Sequence, residues 1–386
     1  TEINPDRSPS EIRYDNNVLT QTISFEPRRP MRLAYVPVTY APEADSATTP
    51  TAGNVPKLHT TMARLYPHPG VDYAIWSPLT WPLEMSGATE EEENERADLV
   101  VGLLTLRLAI FNASRPTDEQ MDQVFGYFPG GTLGFCYSDP PWDGGRGVAS
   151  YCADGGMWMA HEIGHNLGLR HPNTLDSGDA DDPDTYWPYP TAEIQEVGYD
   201  VPDDEVKPSS YFDFMSYRDA SEQWISPLHY QMLFKALPEP EVTGAGVTAQ
   251  ASTTYLLISG QVTTGDSVSF QPIWQVEASS APVNPPAGTA YCIEMRDGGG
   301  SVLQSQCFDL SFFNYEAGQA VTSDFFMVSL PLDAGAASIV LTHGAEDLGA
   351  IGASANPPQV TLLAPSGGES LGESVTVEWK ADDMDS

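Results

Sequence analysis

The run His161-Glu162-Ile163-Gly164-His165-Asn166-Leu167-Gly168-Leu169-Arg170-His171 carries side chains whose types and spacing suit metal-assisted hydrolysis. Histidines four apart share one face of a helix, one turn from each other, so His161 and His165 can reach a single ion. Glu162, beside the first of them, can stand over the open side of that ion and take a proton from water. Gly168 falls where the helix must stop if His171 is to return to the same ion. Glycine accepts the left-handed backbone of such a stop because it has no Cβ to clash. Three histidines leave one zinc position for water, whereas structural zinc sites close all four with protein ligands, often cysteine. No cysteine lies in the run. The competing reading is an amphipathic core helix with incidental histidines.

Other elements must hold this helix. Met31 to Tyr40 alternates and reads as a strand. From Glu90 a helix of about 20 residues is expected, with Leu99, Leu103, Leu106 and Ile110 on one face, acids at its dipole-favoured start and Pro116 beyond its end. Phe125 to Tyr137 holds short β-like pieces broken by Pro129-Gly130-Gly131. Gly144 to Tyr151 is glycine-rich and then strand-like, and leads into the histidine helix with Asp154 as its cap. A closing helix, Pro227 to Leu237, precedes the linker Pro238-Glu239-Pro240. Trp158 and Met159 read as core packing. His59, His68, His229 and His343 read as isolated surface or capping histidines.

Beyond the linker the composition shifts to alternating segments (TYLLISG, SVSFQPIW, AYCIEM, DFFMVSL, SIVLTHG) between Gly, Pro and Ser clusters. That pattern reads as a β-sandwich without a catalytic constellation. The expected division is an N-terminal arm over 1–30, a catalytic domain over 31–238, a sandwich over 245–350, and the first strands of a truncated Ig-like module over 357–386.

Length and charge bound the class. A chain of 386 residues can hold two or three cores. Its 54 acidic against 17 basic residues give a net charge of −37, which argues against nucleic acid and anionic membranes as partners. No apolar run is long enough to span a bilayer. The cysteines Cys136, Cys152, Cys292 and Cys307 suggest local bridges 136–152 and 292–307, the simplest of three connectivities, in an oxidising, secreted or cell-surface setting. Buried free thiols are the alternative. Asp176, Asp179 and Asp181, in an aspartate-rich loop around Gly178, could wrap a calcium ion or form a plain solvated loop.

From His161 to His171, and again at Met215, the chain resembles the metzincin clan of zinc endopeptidases: HExxHxxGxxH followed by a methionine turn. HEIGHNLGLRHP with FMSY is similar to serralysins and astacins. Trp224-Ile225-Ser226 and the β-rich region behind it look more like large secreted bacterial metalloproteases of the mucinase type. The calcium repeats of serralysins are absent.

The resemblance implies an α+β catalytic domain, with a mixed sheet and an active-site helix, followed by the all-β sandwich. It implies His161, His165 and His171 as zinc ligands, Glu162 as general base and then acid, and Met215 as an apolar floor. Tyr217 would ligate zinc or stabilise the oxyanion; a core or surface tyrosine is the alternative. An edge strand beside the metal helix, for which Gly147 to Tyr151 is the candidate, would pair with an extended peptide. The expected activity is secreted zinc-dependent endoproteolysis of extracellular proteins, O-glycosylated ones included. The alternative is a non-catalytic adhesin or glycan-binding protein on the same fold.

Overall fold

The computed structural model describes residues 26–43, 47–87, 89–113, 115–130, 136–138, 147–153, 155–178, 186–240, 252–279, 282, 284–314, 319–353, 359–365 and 377–382. The described part of the chain is mixed α/β, with several sheets and more strand than helix.

The first body is built on β1 (Met31–Tyr40), α1 (Val55–Leu65), β2 (Val71–Ile75), β3 (Leu79–Trp81), α2 (Glu90–Ala113), β4 (Gln123–Tyr127), β5 (Tyr137–Ser138), β6 (Ala149–Cys152) and α3 (Gly156–Asn166). Its six-stranded sheet runs β2-β1-β4-β6-β5, with β3 also on β1. All pairings are parallel except that of β5 with β6. β1 is central and almost continuously buried, as parallel strands covered on both faces are. Its odd residues Met31, Leu33 and Tyr35 face α1 and α3, and its even residues Ala34, Val36 and Val38 face α2.

α1 and α3 approach so closely that a Cβ on Gly156 would meet the Leu58 carbonyl oxygen at 2.4 Å. Glycine at the first turn of α3 is therefore what lets the two helices touch. The expected cap, Asp154, lies outside the described residues; the N-cap is Gly155. Arg29 holds the start of β1 through a two-pronged pair with Asp122, at 2.7 and 2.5 Å. Residues 1–25 of the expected arm lie outside the described residues.

The outer edge of the sheet corrects one expectation. Gly147 to Tyr151 is not an edge, because β6 is bonded on both sides, to β4 and to β5. Among the described strands β5 is the outermost on the α3 side, tied to β6 by the Cys136–Cys152 disulfide. Two cysteines 16 apart close a short loop, and such a bridge contributes roughly 3 kcal/mol by restricting the unfolded chain.

After α3 the chain makes the hairpin β7 (Gly198–Asp200) with β8 (Glu205–Lys207). It then forms the parallel pair β9 (Phe212–Asp213) and β10 (Gln223–Trp224), and α4 (Pro227–Ala236). Ser226 caps α4 by accepting the His229 N–H at 3.3 Å.

The second body is all β. β11 (Thr253–Thr263) pairs with β12 (Val268–Phe270), β13 (Trp274–Ala278) and, further on, β18 (Ser323–Pro331). The facing sheet comprises β14 (Tyr291–Asp297) and β15 (Val302–Phe308) with β19 (Ala336–His343) and β20 (Glu346–Gly352), in the order β15-β14-β19-β20. The short pair β16 (Phe313–Asn314) and β17 (Gln319–Ala320) lies between β15 and β18 in sequence.

Ile258, Phe326 and Val328 from the first sheet meet Ile293, Phe308 and Leu341 in one core, so the two sheets form a sandwich. The expected strand SVSFQPIW divides into β12 and β13 around Pro272, which has no N–H for a ladder. Cys292 and Cys307 are directly opposite on β14 and β15 and are bridged. A last hairpin, β21 (Gln359–Ala364) with β22 (Glu378–Asp382), exposes Leu362 and Trp379.

α2 joins the two bodies. Ala97, Val100, Val101, Leu104 and Leu108 face the parallel sheet. Leu106, Ala109 and Ile110 face Leu257 and Met327 of the sandwich. A Cβ on Gly102 would lie 2.4 Å from the Phe325 ring, and Thr322 donates to the Glu95 carboxylate at 3.1 Å. The helix is thus apolar on two faces, as an element between two cores must be.

Candidate metal centre

α3 places His161 and His165 one turn apart on its inner face, 1% exposed each. Its last residue is Asn166. Leu167 and Gly168 bond back to Gly164 and His165, and Gly168 takes φ +90°. The turn sends the chain back so that His171 joins the pair. The three Nε2 atoms then form a near-equilateral triangle with edges of 3.1, 3.1 and 3.0 Å.

The surroundings set the tautomers. His161 Nδ1 lies 3.0 Å from the Phe214 carbonyl oxygen, and His165 Nδ1 lies 2.9 Å from the Leu169 carbonyl oxygen. A carbonyl only accepts, so both Nδ1 atoms carry hydrogen, the tautomer in which Nε2 is the atom that would bind a metal. Lone pairs converging on one point repel unless a cation stands among them. Three nitrogens each about 2.0–2.1 Å from a tetrahedral zinc ion would be about 3.3–3.4 Å apart, within a few tenths of an ångström of this triangle. The donor set therefore fits a metal ion, and among the described residues it is the one cluster of its kind. Carbonyl-oriented imidazoles are also the usual outer support of metal histidines.

Glu162 follows His161 and is 1% exposed. Its charge reaches the neighbouring phenols: burial first, and then the Glu162 carboxylate, push Tyr66 and Tyr151 above the ordinary tyrosine range. Tyr66 donates to the Ala160 carbonyl at 2.5 Å, one residue before the first histidine.

Met215 is fully buried beneath the site. A Cβ on Gly164 would sit 2.8 Å from its sulfur, so the glycine inside the motif is what admits the methionine. The spacing of the histidines by itself gives Gly164 no role. The signal was there: glycine inside a helix costs about 1 kcal/mol against alanine and asks for a packing reason.

Tyr217 lies against the site, its ring centroid 4.7 Å from that of His171 and 5.7 Å from that of His161. Its N–H donates to the Ser177 carbonyl at 2.8 Å, and a Cβ on Gly178, at φ +78°, would lie 3.0 Å from the Tyr217 carbonyl oxygen. The loop after His171 therefore seats Tyr217. Trp158 does not belong to the core as expected. It is 39% exposed, its ring 6.0 Å from that of His161, at the rim of the site. Of the aspartates considered for calcium, Asp176 accepts the Ala192 N–H at 3.0 Å and so braces the loop. Asp179 and Asp181 lie outside the described residues.

His229 also departs from expectation. It is neither surface nor capping by its side chain: it is 0% exposed, with Nδ1 2.7 Å from Asp213 Oδ1. Burial pushes the Asp213 carboxyl up. The His229 charge and the hydrogen bonds from His229, Ser226 and Met215 outweigh that, and its pKa ends below the ordinary value of 3.8.

The pH consequence has a definite sign. The unfolded carboxyl takes a proton near 3.8, before the folded one does. The stabilisation is therefore complete above that pH and is lost as pH falls through the lower folded value. Urea unfolding of metal-free protein between pH 3 and 6 should show wild-type stability falling more steeply below about pH 4 than that of Asp213→Asn. Parallel curves for the two proteins would remove Asp213 from the acid response.

No known protein family and no curated protein matches the sequence. Eight solved chains match its structure. One is catalytically inactive OgpA from Akkermansia muciniphila in complex with an O-glycopeptide, glycodrosocin. It has 12% sequence identity and a TM-score of 0.26, and the match covers 87% of this chain and 94% of that one.

Proposed function

We propose that this protein is a metzincin-like zinc endopeptidase that hydrolyses peptide bonds of extracellular proteins. The observation that carries the reading is the triangle of buried Nε2 atoms on His161, His165 and His171, with Glu162 on the same turn of helix. Zinc held by the three imidazoles would supply Lewis-acid polarisation of a carbonyl and bring the pKa of water toward neutrality.

The remaining steps belong to the chain. Glu162 takes the proton of the attacking water and returns it to the departing amine nitrogen. Tyr217 offers one phenolic O–H to the oxygen on which negative charge develops. Met215 keeps the space beneath the imidazoles apolar. An extended peptide that pairs with the sheet beside the metal helix would add to it as a further strand.

The two disulfides suit an extracellular location, and no helix among the described residues is long and apolar enough to cross a membrane. Purified protein should cleave a chromogenic protein substrate, and a mucin-type O-glycoprotein should be tried beside it. Removal of metal by chelation should abolish cleavage, and stoichiometric zinc should restore it. Zinc uptake without cleavage of any protein or glycoprotein would leave the adhesin reading in its place.

A further inference from the structure

The metal centre is joined to a second buried cluster that the sequence does not foreshadow. Asp213 is 0% exposed. Its Oδ1 accepts the Met215 N–H at 2.9 Å and faces His229 Nδ1 at 2.7 Å. Its Oδ2 accepts the Ser226 N–H at 2.9 Å. The opposite nitrogen of the same imidazole, His229 Nε2, lies 2.7 Å from the Tyr186 phenol oxygen. That phenol donates to the carbonyl of Arg170.

The proton inventory follows from the partners. The Arg170 carbonyl only accepts, so the single phenol hydrogen goes to it. The phenol oxygen is then the acceptor for His229 Nε2–H, and the Asp213 carboxylate is the acceptor for Nδ1–H. Each donor has one defined target, and the cluster has a direction.

The two ends of the cluster reach the metal ligands. Arg170 contributes the peptide that enters His171. Phe214, next to Asp213, contributes the carbonyl that orients His161. Met215, whose N–H is held by Asp213, lies against Gly164 between the two helical histidines. The rings of Phe214 and Trp187, 6.3 and 5.1 Å from that of His229, close the cluster in.

A buried carboxylate paired with an imidazolium is a weak source of stability, since apolar residues of equal volume would serve a core as well. What polar partners add is direction, and outer partners of this kind change metal affinity by about 10–100-fold. We propose that Asp213, His229 and Tyr186 form one positioning unit. It ties the segment that carries His171 to the turn beneath His161 and so sets the affinity of the site for its metal. The proposal rests on the metal-binding reading above.

The test uses Tyr186→Phe and His229→Asn, with His343→Asn in the sandwich as control. Tyr186→Phe removes one oxygen and keeps the ring. His229→Asn keeps a donor for Asp213 but cannot reach Tyr186. Zinc affinity is read by competition with a chelator, the ligand field by the visible spectrum of the cobalt-loaded protein, and ring positions by histidine-selective ¹⁵N NMR of metal-free protein. Both variants should bind zinc about 10–100-fold more weakly than wild type, with an altered cobalt spectrum, while the control is unchanged.

Zinc affinity within about twofold of wild type, with an unaltered cobalt spectrum, would overturn the proposal. Were wild type to take up no metal, the metal-binding reading itself would fall. The metal-free spectra would then decide positioning: a moved His171 resonance in Tyr186→Phe supports it, and an unmoved one refutes it.

Discussion

Replacing Glu162 by alanine is expected to lower peptide hydrolysis by about 10²–10⁴-fold while leaving zinc uptake intact. The two effects separate because Glu162 is not one of the converging donors. The three Nε2 atoms stand 3.0–3.1 Å from one another without it, and their rings are aimed by the carbonyls of Phe214 and Leu169. Glu162 occupies the same helical turn, 1% exposed, in a region of low dielectric where its charge is felt by Tyr66 and Tyr151 after the larger effect of burial on those phenols. A carboxylate there can accept the proton of a water molecule, and an alanine cannot carry it from water to amine. The measurements are cleavage of a protein substrate and metal content of the same preparation. Wild-type turnover by a zinc-loaded Glu162→Ala protein would remove the general-base role. Loss of the metal along with activity would mean that the carboxylate helps build the site.

Replacing Leu106 by aspartate is expected to uncouple the two bodies and to cost at least about 3 kcal/mol. Leu106 is 5% exposed and lies with Ala109 and Ile110 against Leu257, Met327 and Phe325 of the sandwich. A carboxylate at that place has no cationic partner among those side chains, so it must either be desolvated or force the contact open. Each body has a core of its own, around Leu33, Phe125 and Ile163 in one and around Ile293, Phe308 and Leu341 in the other. Differential scanning calorimetry should therefore show one transition for wild type and two for Leu106→Asp, the sandwich retaining its own. Leu83→Asp, at a position 46% exposed, is the control and should stay within about 0.5 kcal/mol of wild type. A single transition at the wild-type temperature in Leu106→Asp would show that the contact with the sandwich contributes nothing to stability.

Much of this architecture was legible in the chain, for local reasons. Met31 to Tyr40 forms the strand its alternation announces. α4 begins at Pro227, behind the Ser226 cap. The histidine helix stops before Gly168, which takes the left-handed conformation its position asked for. α2 was foreseen as a helix but only partly understood. Of the residues used to find it, Leu99 and Leu103 pack toward the parallel sheet, while Leu106 and Ile110 turn to the sandwich. One periodicity cannot report two partners.

The sequence by itself determined the donor chemistry, because helical spacing and one glycine decide that His161, His165 and His171 can meet. Tertiary structure decided the rest. It paired β6 on both sides, with β4 and with β5, since pairing between strands depends on contacts distant in sequence. It moved Trp158 from the core to the rim of the site. It also brought His229 to Asp213, 16 residues away, and to Tyr186, 43 residues away, in a cluster whose aspartate and histidine are fully buried. Local propensity speaks for neighbours within a turn or two of chain. The hydrogen bonds that aim a metal ligand are closed by groups that only the folded backbone brings within 3 Å.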